Sequence, residues 1–379
     1  MPCLNEAATI QRCVEKALFA LGELKISGEV VVADNGSRDG SELLAAGAGA
    51  RVVRVEESGY GAAIIGGVAA CKGNFIIVAD ADDSYNYLEI KPFVQEWRKG
   101  AGFVMGNRFK GNIQAGAMPF LHRYLGNPLL SFIGRLFFRS PFGDFHCGMR
   151  GFTPEAFSRM NLSCPGMEFA SEMVAKASVL EIPYAEVPVN LYKDGRNGPS
   201  HLNTWSDGWR HLRFLLLFSP RWVFFYPGLF FVFAGLMLNS LLLRSYLPFQ
   251  SMKLDISTLL YASCSVLIGF QLIFFYLLAQ AFARREGLII QSGIRISWFR
   301  MEFGLAAGVV LLLLGFFLSF SALAYWKAQA FGPLNPSLIM RKVIPAVSLF
   351  LLGFQVLSFS FFLSILQTGR ITGRKSTLI

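Results

Sequence analysis

Three carboxylates stand close together in the segment VADADDSYN, residues 78–86, after a run of small and apolar residues. Asp80 and Asp82 flank Ala81, and strand alternation would turn both side chains to the same side of the chain. Two neighbouring carboxylates repel each other unless a cation lies between them. Hard oxygen ligands in a small cluster suit Mg²⁺ or Mn²⁺, which takes its remaining ligands from water and substrate phosphates. The pattern predicts a divalent metal site on Asp80 and Asp82, with a solvated acidic loop as the alternative.

The elements that would position these carboxylates are those of an α/β domain. Over the first 200 residues, strand-length apolar runs alternate with turn signals and amphipathic segments. The run VVVAD predicts a strand that ends in Asp34, a residue that also suits a helix cap. The segment 51–74 predicts strand, glycine turn and helix, but the third glycine of a G-x-G-x-x-G fingerprint falls on Ile64. A Rossmann dinucleotide site is therefore not favoured.

The start of the chain lacks the strand that should open such a domain. MPCLNEAATIQRCVEKAL, residues 1–18, enters a helix almost at once, with apolar residues at helical spacing. We therefore expect the first strand to lie upstream of residue 1.

Composition places part of the chain in lipid. The chain of 379 residues is 53% hydrophobic and 16% charged, with a mean hydropathy of +0.45, which is too apolar for an ordinary soluble globule. Four stretches without Asp, Glu, Lys or Arg each reach the roughly 20 residues that a spanning helix needs. They are 222–243, 256–283, 303–326 and 343–369. We expect four transmembrane helices in the C-terminal half.

An even number of spans places both ends of the chain on the same face of the membrane. Basic residues between the second and third spans and in the tail modestly outnumber those in the opposite loops, which indicates that the tail is cytoplasmic. We therefore expect a cytoplasmic domain over residues 1–200, an interfacial amphipathic linker over 201–221 and a membrane domain over 222–379, with both termini cytoplasmic.

The cysteines and the net charge are less specific. The six cysteines show neither a CxxC pair nor the spacing of His and Cys metal ligands, which favours free thiols in a reducing compartment. A net charge of +10 suits contact with anionic lipid head groups or with phosphates, and does not choose between them.

The order of the motifs is more specific than any one of them. PCLNEA, DNGSRDGS, GYGAAIIGG, DADDSY, GNRF, DFHCGMRGF and DGRNGPS resemble, in order and approximate spacing, the family 2 glycosyltransferases with a GT-A fold. The resemblance covers about residues 1 to 200 and is strongest for the polyprenyl-phosphate branch, such as dolichyl-phosphate mannose or glucose synthases and bactoprenol glucosyltransferases. It implies an α/β GT-A domain followed by an all-α bundle of four transmembrane helices.

The resemblance assigns one group of residues to the sugar donor. Glu6 and Asp34 would hold the nucleoside, whereas Asp80 and Asp82 would hold Mg²⁺ or Mn²⁺ against the donor diphosphate. Two further residues, Arg196 and Ser200, match the diphosphate-side loop of the family. That loop usually continues with Lys, whereas this chain has His201.

A second group of residues is assigned to the acceptor. Arg108 of GNRF and Arg123 of the basic segment after it would meet the acceptor phosphate. Asp144 of DFHCGMRGF would lie in the active site, where it would orient an arginine or act as a base, and Arg150 of the same motif would bind substrate. Together with Asp82, the catalytic set is then Arg108, Arg123 and Asp144.

The expected reaction is an inverting transfer of one hexose from a UDP- or GDP-hexose to a polyprenyl phosphate, either dolichyl or undecaprenyl. The leaving diphosphate gains negative charge, which a metal ion and arginines stabilise. A lipid phosphate is already an anion, so it needs positioning by arginine forks rather than a strong base. Residues 120–142 interleave Leu, Phe and Ile with arginines, which is typical of interfacial structure, although core packing with solvated arginines is the alternative.

Two other functions were weighed against this one. A processive polysaccharide synthase should carry Q-x-x-R-W before a span, but Gln is absent three positions before Arg221. A catalytically silent scaffold would be supported by loss of Asp80 or Asp82, and both are present. A nucleic-acid role is not favoured because no reader motif occurs. The spans could bind the polyprenyl tail, form a homo-oligomer or contact a flippase.

Overall fold

The computed structural model describes residues 1–195, 204–243, 247–249, 252–285 and 301–368. The chain divides into two compact units, Met1–Phe218 and Ser219–Ile379. The first unit is α/β and the second contains four long apolar helices. The fold class expected from the sequence is therefore confirmed.

The strands of the first unit form two sheets. In the first sheet, β1 (Pro2–Cys3), β2 (Val31–Asp34) and β3 (Arg51–Arg54) are parallel and lie in the order β1-β2-β3. The second sheet has the order β4-β6-β5-β7 and contains β4 (Ile76–Val78), β5 (Phe103–Asn107), β6 (Arg150–Phe152) and β7 (Tyr184–Pro188). Strand β6 runs antiparallel to both β4 and β5, whereas β7 is parallel to β5. β2 and β5 are buried along their whole length, which explains their nearly continuous apolar sequences.

The start of the chain differs from the sequence expectation. Pro2–Cys3 pairs with Ala33 and Asp34 of β2, and the Met1 ammonium donates to Val31 O at 2.8 Å. The first helix begins only at Ile10. Two paired residues are too few to show a strand period, so the sequence pattern did not indicate β1, and a first strand upstream of residue 1 stays a prediction.

Helices cover both sheets and supply the core. Those described in this unit are α1 (Ile10–Glu23), α2 (Ser41–Gly47), α3 (Tyr60–Ala70), α4 (Lys91–Arg98), α5 (Asn127–Phe138), α6 (Pro154–Met160), α7 (Phe169–Val179) and α8 (Thr204–Leu217). The strand, glycine turn and helix expected for the segment 51–74 are confirmed as β3 and α3, joined through Gly59, whose φ is 137°. All six cysteines are free, as expected from their spacing.

The second unit is helical. Its elements are α9 (Tyr226–Leu242), the short hairpin of β8 (Leu247–Phe249) and β9 (Met252–Leu254), α10 (Ile256–Arg285), α11 (Met301–Ala328) and α12 (Pro336–Thr368). The four candidate spans are Arg221–Leu242, Ile256–Ala283, Met301–Ala328 and Pro336–Gln367, close to the expected ranges. Glycines permit close helix contact: a Cβ on Gly228 would lie 2.9 Å from Gly269 O, and one on Gly353 3.0 Å from Gly308 O. Small residues at helix contacts are typical of membrane bundles.

Candidate active site

Asp34 ends β2 as a buried carboxylate. It is 1% exposed, and its Oδ2 accepts hydrogen bonds from Gly36 N at 3.0 Å and Ser37 N at 2.9 Å. Its Oδ1 is buried and has no hydrogen-bond partner among the described residues. A buried oxygen without a partner costs free energy. The end of β2 is therefore suited to a ligand that donates a hydrogen bond.

Glu6 lies in the turn before α1, next to the acidic segment. The main chain of this turn is fixed by Glu6 N, which donates to Ser41 Oγ at 2.8 Å. Thr9, from the same turn, donates through Oγ1 to Ala81 O at 2.7 Å. The Glu6 turn is thus held against the residue that separates Asp80 from Asp82.

The three carboxylates that follow β4 have different surroundings. Strand β4 ends at Val78, so the expected strand alternation does not reach Asp80 and Asp82. Asp83 has a φ of 61° and is paired with Lys16 Nζ at 2.6 Å and with Arg12 Nη1 at 3.3 Å. Its charge is therefore compensated by α1.

Asp80 and Asp82 contact two other candidate segments. A Cβ on Gly148 would lie 2.4 Å from Asp80 Oδ2, so only glycine fits beside this carboxylate. Asp82 is 8% exposed, and its Oδ1 accepts from Ser84 N at 3.0 Å and Ser84 Oγ at 2.6 Å. Its carbonyl accepts from Gly195 N at 2.9 Å, which anchors the segment that leads to Arg196. Arg196 and Ser200 themselves lie outside the described residues.

Tyrosines surround the main chain of the acidic segment. The Tyr87 hydroxyl donates to Ala79 O at 2.6 Å, and the Tyr85 hydroxyl accepts from Gly148 N at 2.8 Å. Burial, and then the charge of Asp80, raise the pKa of Tyr60 well above its ordinary value. These phenols therefore act as neutral hydrogen-bonding groups.

Arg108 and Asp144 form a buried, bidentate ion pair. Arg108 Nε lies 2.7 Å from Asp144 Oδ2, and Nη2 lies 2.8 Å from Oδ1. The arginine is 8% exposed and the aspartate 0%. Burial alone would raise the pKa of Asp144, but the charge and hydrogen bonds of Arg108 outweigh it and lower that pKa. Asp144 is therefore ionised, and much of the Arg108 fork is occupied by it.

Arg150 is buried, unlike a substrate-binding residue that faces solvent. It is 1% exposed, and its Nη2 donates to Cys147 O at 2.6 Å while Nη1 donates to Ala170 O at 3.2 Å. These bonds join β6, the segment after Asp144 and α7. Its partners are these main-chain carbonyls and the sulfur of Met173, 3.7 Å from Nη1.

Arg123 lies in a π-helical turn, His122–Gly126, directly before α5. Its guanidinium carbon is 5.5 Å from the centre of the Tyr124 ring. The outer face of α5 and the turn before it expose large apolar side chains: Leu125 of the turn and Leu129, Phe132 and Leu136 of α5 are 55%, 48%, 54% and 42% exposed. The inner face contacts the Asp144 segment, since Ser131 Oγ accepts from Phe145 N at 3.2 Å.

Sequence reasoning missed a second cluster beside Asp144. Ser171 Oγ on α7 lies 3.3 Å from His146 Nε2 and 2.9 Å from His211 Nδ1 on α8. The two imidazole rings are 4.4 Å apart at their centres. These residues are 25 and 40 positions apart along the chain, so no local pattern could have indicated their contact.

Two sequence models of a known protein family match the chain. The sequence model described as "Glycosyl transferase family 2" matches residues 1–160, and the model of the "Glycosyltransferase family 2 C-terminal transmembrane region" matches residues 277–367. Both halves thus match models of family 2 glycosyltransferases. The chain belongs to glycosyltransferase family 2.

Individual relatives include two curated enzymes and one solved structure. Low-salt glycan biosynthesis hexosyltransferase Agl6 of Haloferax volcanii is 33% identical over 368 residues, covering 96% of this chain and 87% of the relative. Dolichyl-phosphate beta-glucosyltransferase of Drosophila melanogaster is 29% identical over 212 residues, covering 50% of this chain and 64% of the relative. Glucosyl-3-phosphoglycerate synthase of Mycobacterium tuberculosis, in complex with Mn²⁺, UDP and glucosyl-3-phosphoglycerate, matches at 22% identity with a TM-score of 0.43, over 57% of this chain and 75% of that one.

Proposed function

We propose that this membrane-bound glycosyltransferase moves one hexose, with inversion, from a nucleotide diphosphate sugar to a polyprenyl phosphate. The observation that carries the proposal is the convergence of three segments on Asp80, Ala81 and Asp82. The Glu6 turn reaches Ala81 O through Thr9, the Asp144 segment packs Gly148 against Asp80, and Gly195 N donates to Asp82 O. The relative Agl6, which aligns with nearly the whole chain, is called a hexosyltransferase, in agreement with this reaction class.

Asp34 and Glu6 would bind the nucleoside. The unpartnered Asp34 Oδ1 can accept a hydrogen bond from a ribose hydroxyl or from a base N–H group. Glu6 is 7% exposed and belongs to a turn fixed by Ser41. The Asp34 carboxylate is therefore held by main-chain N–H groups, and the main chain of Glu6 by Ser41, before the ligand arrives, which reduces the entropy lost on binding.

Asp80 and Asp82 would hold Mg²⁺ or Mn²⁺. In the part of the chain that the structure describes, no group of three or more His, Cys, Asp or Glu side chains is arranged to enclose a metal ion. Two carboxylates fit a cation that takes its remaining oxygen ligands from the diphosphate and water. Such an ion would neutralise charge on the leaving diphosphate. Arg196 and Ser200 would contact the same diphosphate from the segment that Gly195 anchors.

Arg108 and Arg123 would meet the acceptor phosphate. Asp144 fixes the plane of the Arg108 guanidinium through two hydrogen bonds of 2.7 and 2.8 Å, so the phosphate would meet an oriented cation. Since the lowered pKa of Asp144 makes it a weak proton acceptor, we assign it to orientation rather than to base catalysis. Arg150 would support the site through the segment that carries Asp144. The exposed apolar face of α5 suits the acyl region near a lipid head group.

The membrane arrangement follows from the spans and the charges. Four spans keep both termini on one face, and the distribution of Lys and Arg favours the cytoplasm for that face. We therefore propose that the catalytic unit lies in the cytoplasm and takes its nucleotide sugar donor there. The helical unit would then be available to form a homo-oligomer.

A transfer assay tests the proposal directly. Full-length protein in detergent is incubated with a short polyprenyl phosphate, Mg²⁺ or Mn²⁺, and separately with radiolabelled UDP-glucose, UDP-N-acetylglucosamine or GDP-mannose. We expect label in the organic phase from one donor, and none when EDTA replaces the metal. Absence of labelled lipid with all three donors would overturn the lipid-acceptor proposal, and label that persists in EDTA would overturn the metal site.

A further inference from the structure

The segment that carries Asp144 is held by side chains from three helices. Ser131 of α5 accepts from Phe145 N at 3.2 Å, and Gly134 of α5 leaves room for the Phe145 ring. On the other side, Ser171 of α7 links His146 to His211 of α8. The His146 main-chain N–H donates to Asp144 Oδ1 at 3.2 Å. His146 thus contacts both the carboxylate and the helices behind it.

The hydrogen bonds of this cluster have a preferred direction. The Ser171 hydroxyl has one proton, so it donates to one ring and accepts from the other. If it donated to His146 Nε2, the proton of that ring would lie on Nδ1, which is buried without a partner among the described residues. A buried N–H without an acceptor is rarer and more costly than an unused acceptor. The direction is therefore His146 to Ser171 to His211.

Both rings have to be neutral for this direction to hold. Burial lowers the pKa of His146 well below its ordinary value, and neighbouring cations, with His211 among them when it is protonated, lower it further. A second proton on His211 would occupy Nδ1, the acceptor that Ser171 requires, and a second proton on His146 would lie on the buried Nδ1, which has no partner among the described residues. Burial and the surrounding positive charges thus favour the neutral ring of His146, and its unpartnered Nδ1 favours the tautomer that donates to Ser171.

We propose that His146, Ser171 and His211 act as a positioning set that fixes the Asp144 segment, and with it Arg108, for glycosyl transfer. This inference rests on the proposed transferase function and deepens it. The three side chains do not touch the reacting atoms, and their effect passes through the main chain of residues 144–146. Since α8 contributes His211 and is the last helix before the first candidate span, that helix takes part in shaping the active site.

Conservative and apolar substitutions distinguish hydrogen bonding from packing. Asn at position 211 retains an acceptor oxygen near the place of Nδ1, whereas Leu retains volume only. We expect H211L and S171A to lower kcat at least about tenfold, as a misplacement of about 1 Å can, with the KM for the nucleotide sugar within about twofold. H211N should keep most of the wild-type kcat. A loss in H211N as large as that in H211L, or full kcat in H211L, would overturn the inference.

A matched serine on the same helix serves as control. Ser178 hydrogen-bonds to Ser140 Oγ and Val174 O, both at 2.8 Å, so S178A removes a similar group outside the cluster and should keep wild-type kcat. Hydrogen exchange gives a readout that does not need turnover: S171A should speed exchange in the peptide covering residues 143–149, and S178A should not. If hydrogen exchange in S171A is unchanged, the positioning set is wrong, whether or not the wild type transfers sugar. If exchange is faster in S171A but the wild type transfers no sugar, only the proposed function is wrong.

Discussion

Lys16 on α1 donates to Asp83 at 2.6 Å, so the third carboxylate of the acidic segment is neutralised inside the protein. Asp82, its direct neighbour, is bonded instead to Ser84 and, through its carbonyl, to Gly195. The two adjacent aspartates therefore make different contacts. Asp83 joins the segment to α1, while Asp82 faces the segments of the candidate site.

The first prediction separates these two aspartates. D82N should lower transfer at least about a hundredfold, because it removes a charge that would hold the metal and stabilise the leaving group. D83N should keep transfer within about threefold, because it breaks only ion pairs to partly exposed Lys16 and Arg12. The measurement is metal-dependent transfer at saturating donor. Equal losses in both variants would contradict the assignment of Asp82.

A second prediction concerns the buried pair. D144N leaves the Arg108 guanidinium buried without a countercharge, which should cost about 3 kcal/mol and lower the melting temperature in detergent by about 6 °C or more. E96Q is the matched control, because Glu96 pairs with Lys99 at 2.6 Å on the surface and exposed pairs contribute less than about 1 kcal/mol. A D144N protein as stable as E96Q would show that the buried pair does not support the fold.

Part of this arrangement was predictable from the sequence and part was not. The order of motifs placed Asp80, Asp34 and Asp144 at candidate sites, and uncharged stretches located the spans within a few residues. The bidentate contact of Arg108 with Asp144 spans 36 positions, and the bond between Thr9 and Ala81 spans 72. Such partners are brought together by the order of the strands in the sheets. Local periodicity carries no information about that order, so the sequence did not predict the pairing.

The same reason explains why the sequence pattern did not indicate β1. Periodicity detects elements that repeat a pattern, and Pro2–Cys3 is too short to repeat one. Its identity as a strand comes from pairing with β2, a contact 30 residues away. Helix α1, with fourteen residues and a buried apolar face, was by contrast predictable from its own sequence.

A third prediction concerns pH. Burial and nearby cations lower the pKa of His146, so the unfolded state binds more protons than the folded state below the ordinary histidine pKa of about 6.5. The free energy of unfolding should therefore fall as the pH falls below about 6.5. H146Q cannot take up a proton at this position, so its stability should depend less on pH. The measurement is thermal melting at about pH 5 and about pH 7, which span the range in which histidine titrates. An identical slope for both proteins would exclude His146 as its source.

A fourth prediction uses the two sides of α5. On the outer side, the double variant F132S/L129S should raise the KM for a long polyprenyl phosphate about fivefold or more and leave the KM for the nucleotide sugar unchanged. The lipid KM should rise because each buried CH₂ contributes about 0.8 kcal/mol to lipid contact. The control is L43S on α2, which removes a leucine that is 80% exposed. An unchanged lipid KM in the double variant would show that this face does not contact the acceptor.

The last prediction concerns the inner side of α5, where Gly134 faces Phe145. A Cβ at Gly134 would lie 2.4 Å from Phe145 Cε1, so G134A should displace the ring and the neighbouring Asp144, at a cost of about 1–3 kcal/mol from overpacking. Gly22 in α1 is the matched control, since nothing lies within 4 Å of a Cβ there. G22A should be neutral or stabilise the helix by up to about 1 kcal/mol. Thermal melting and kcat, measured together, check both variants: G134A should lose both stability and turnover, whereas a G134A protein with full kcat would show that the position of Phe145 does not govern Asp144.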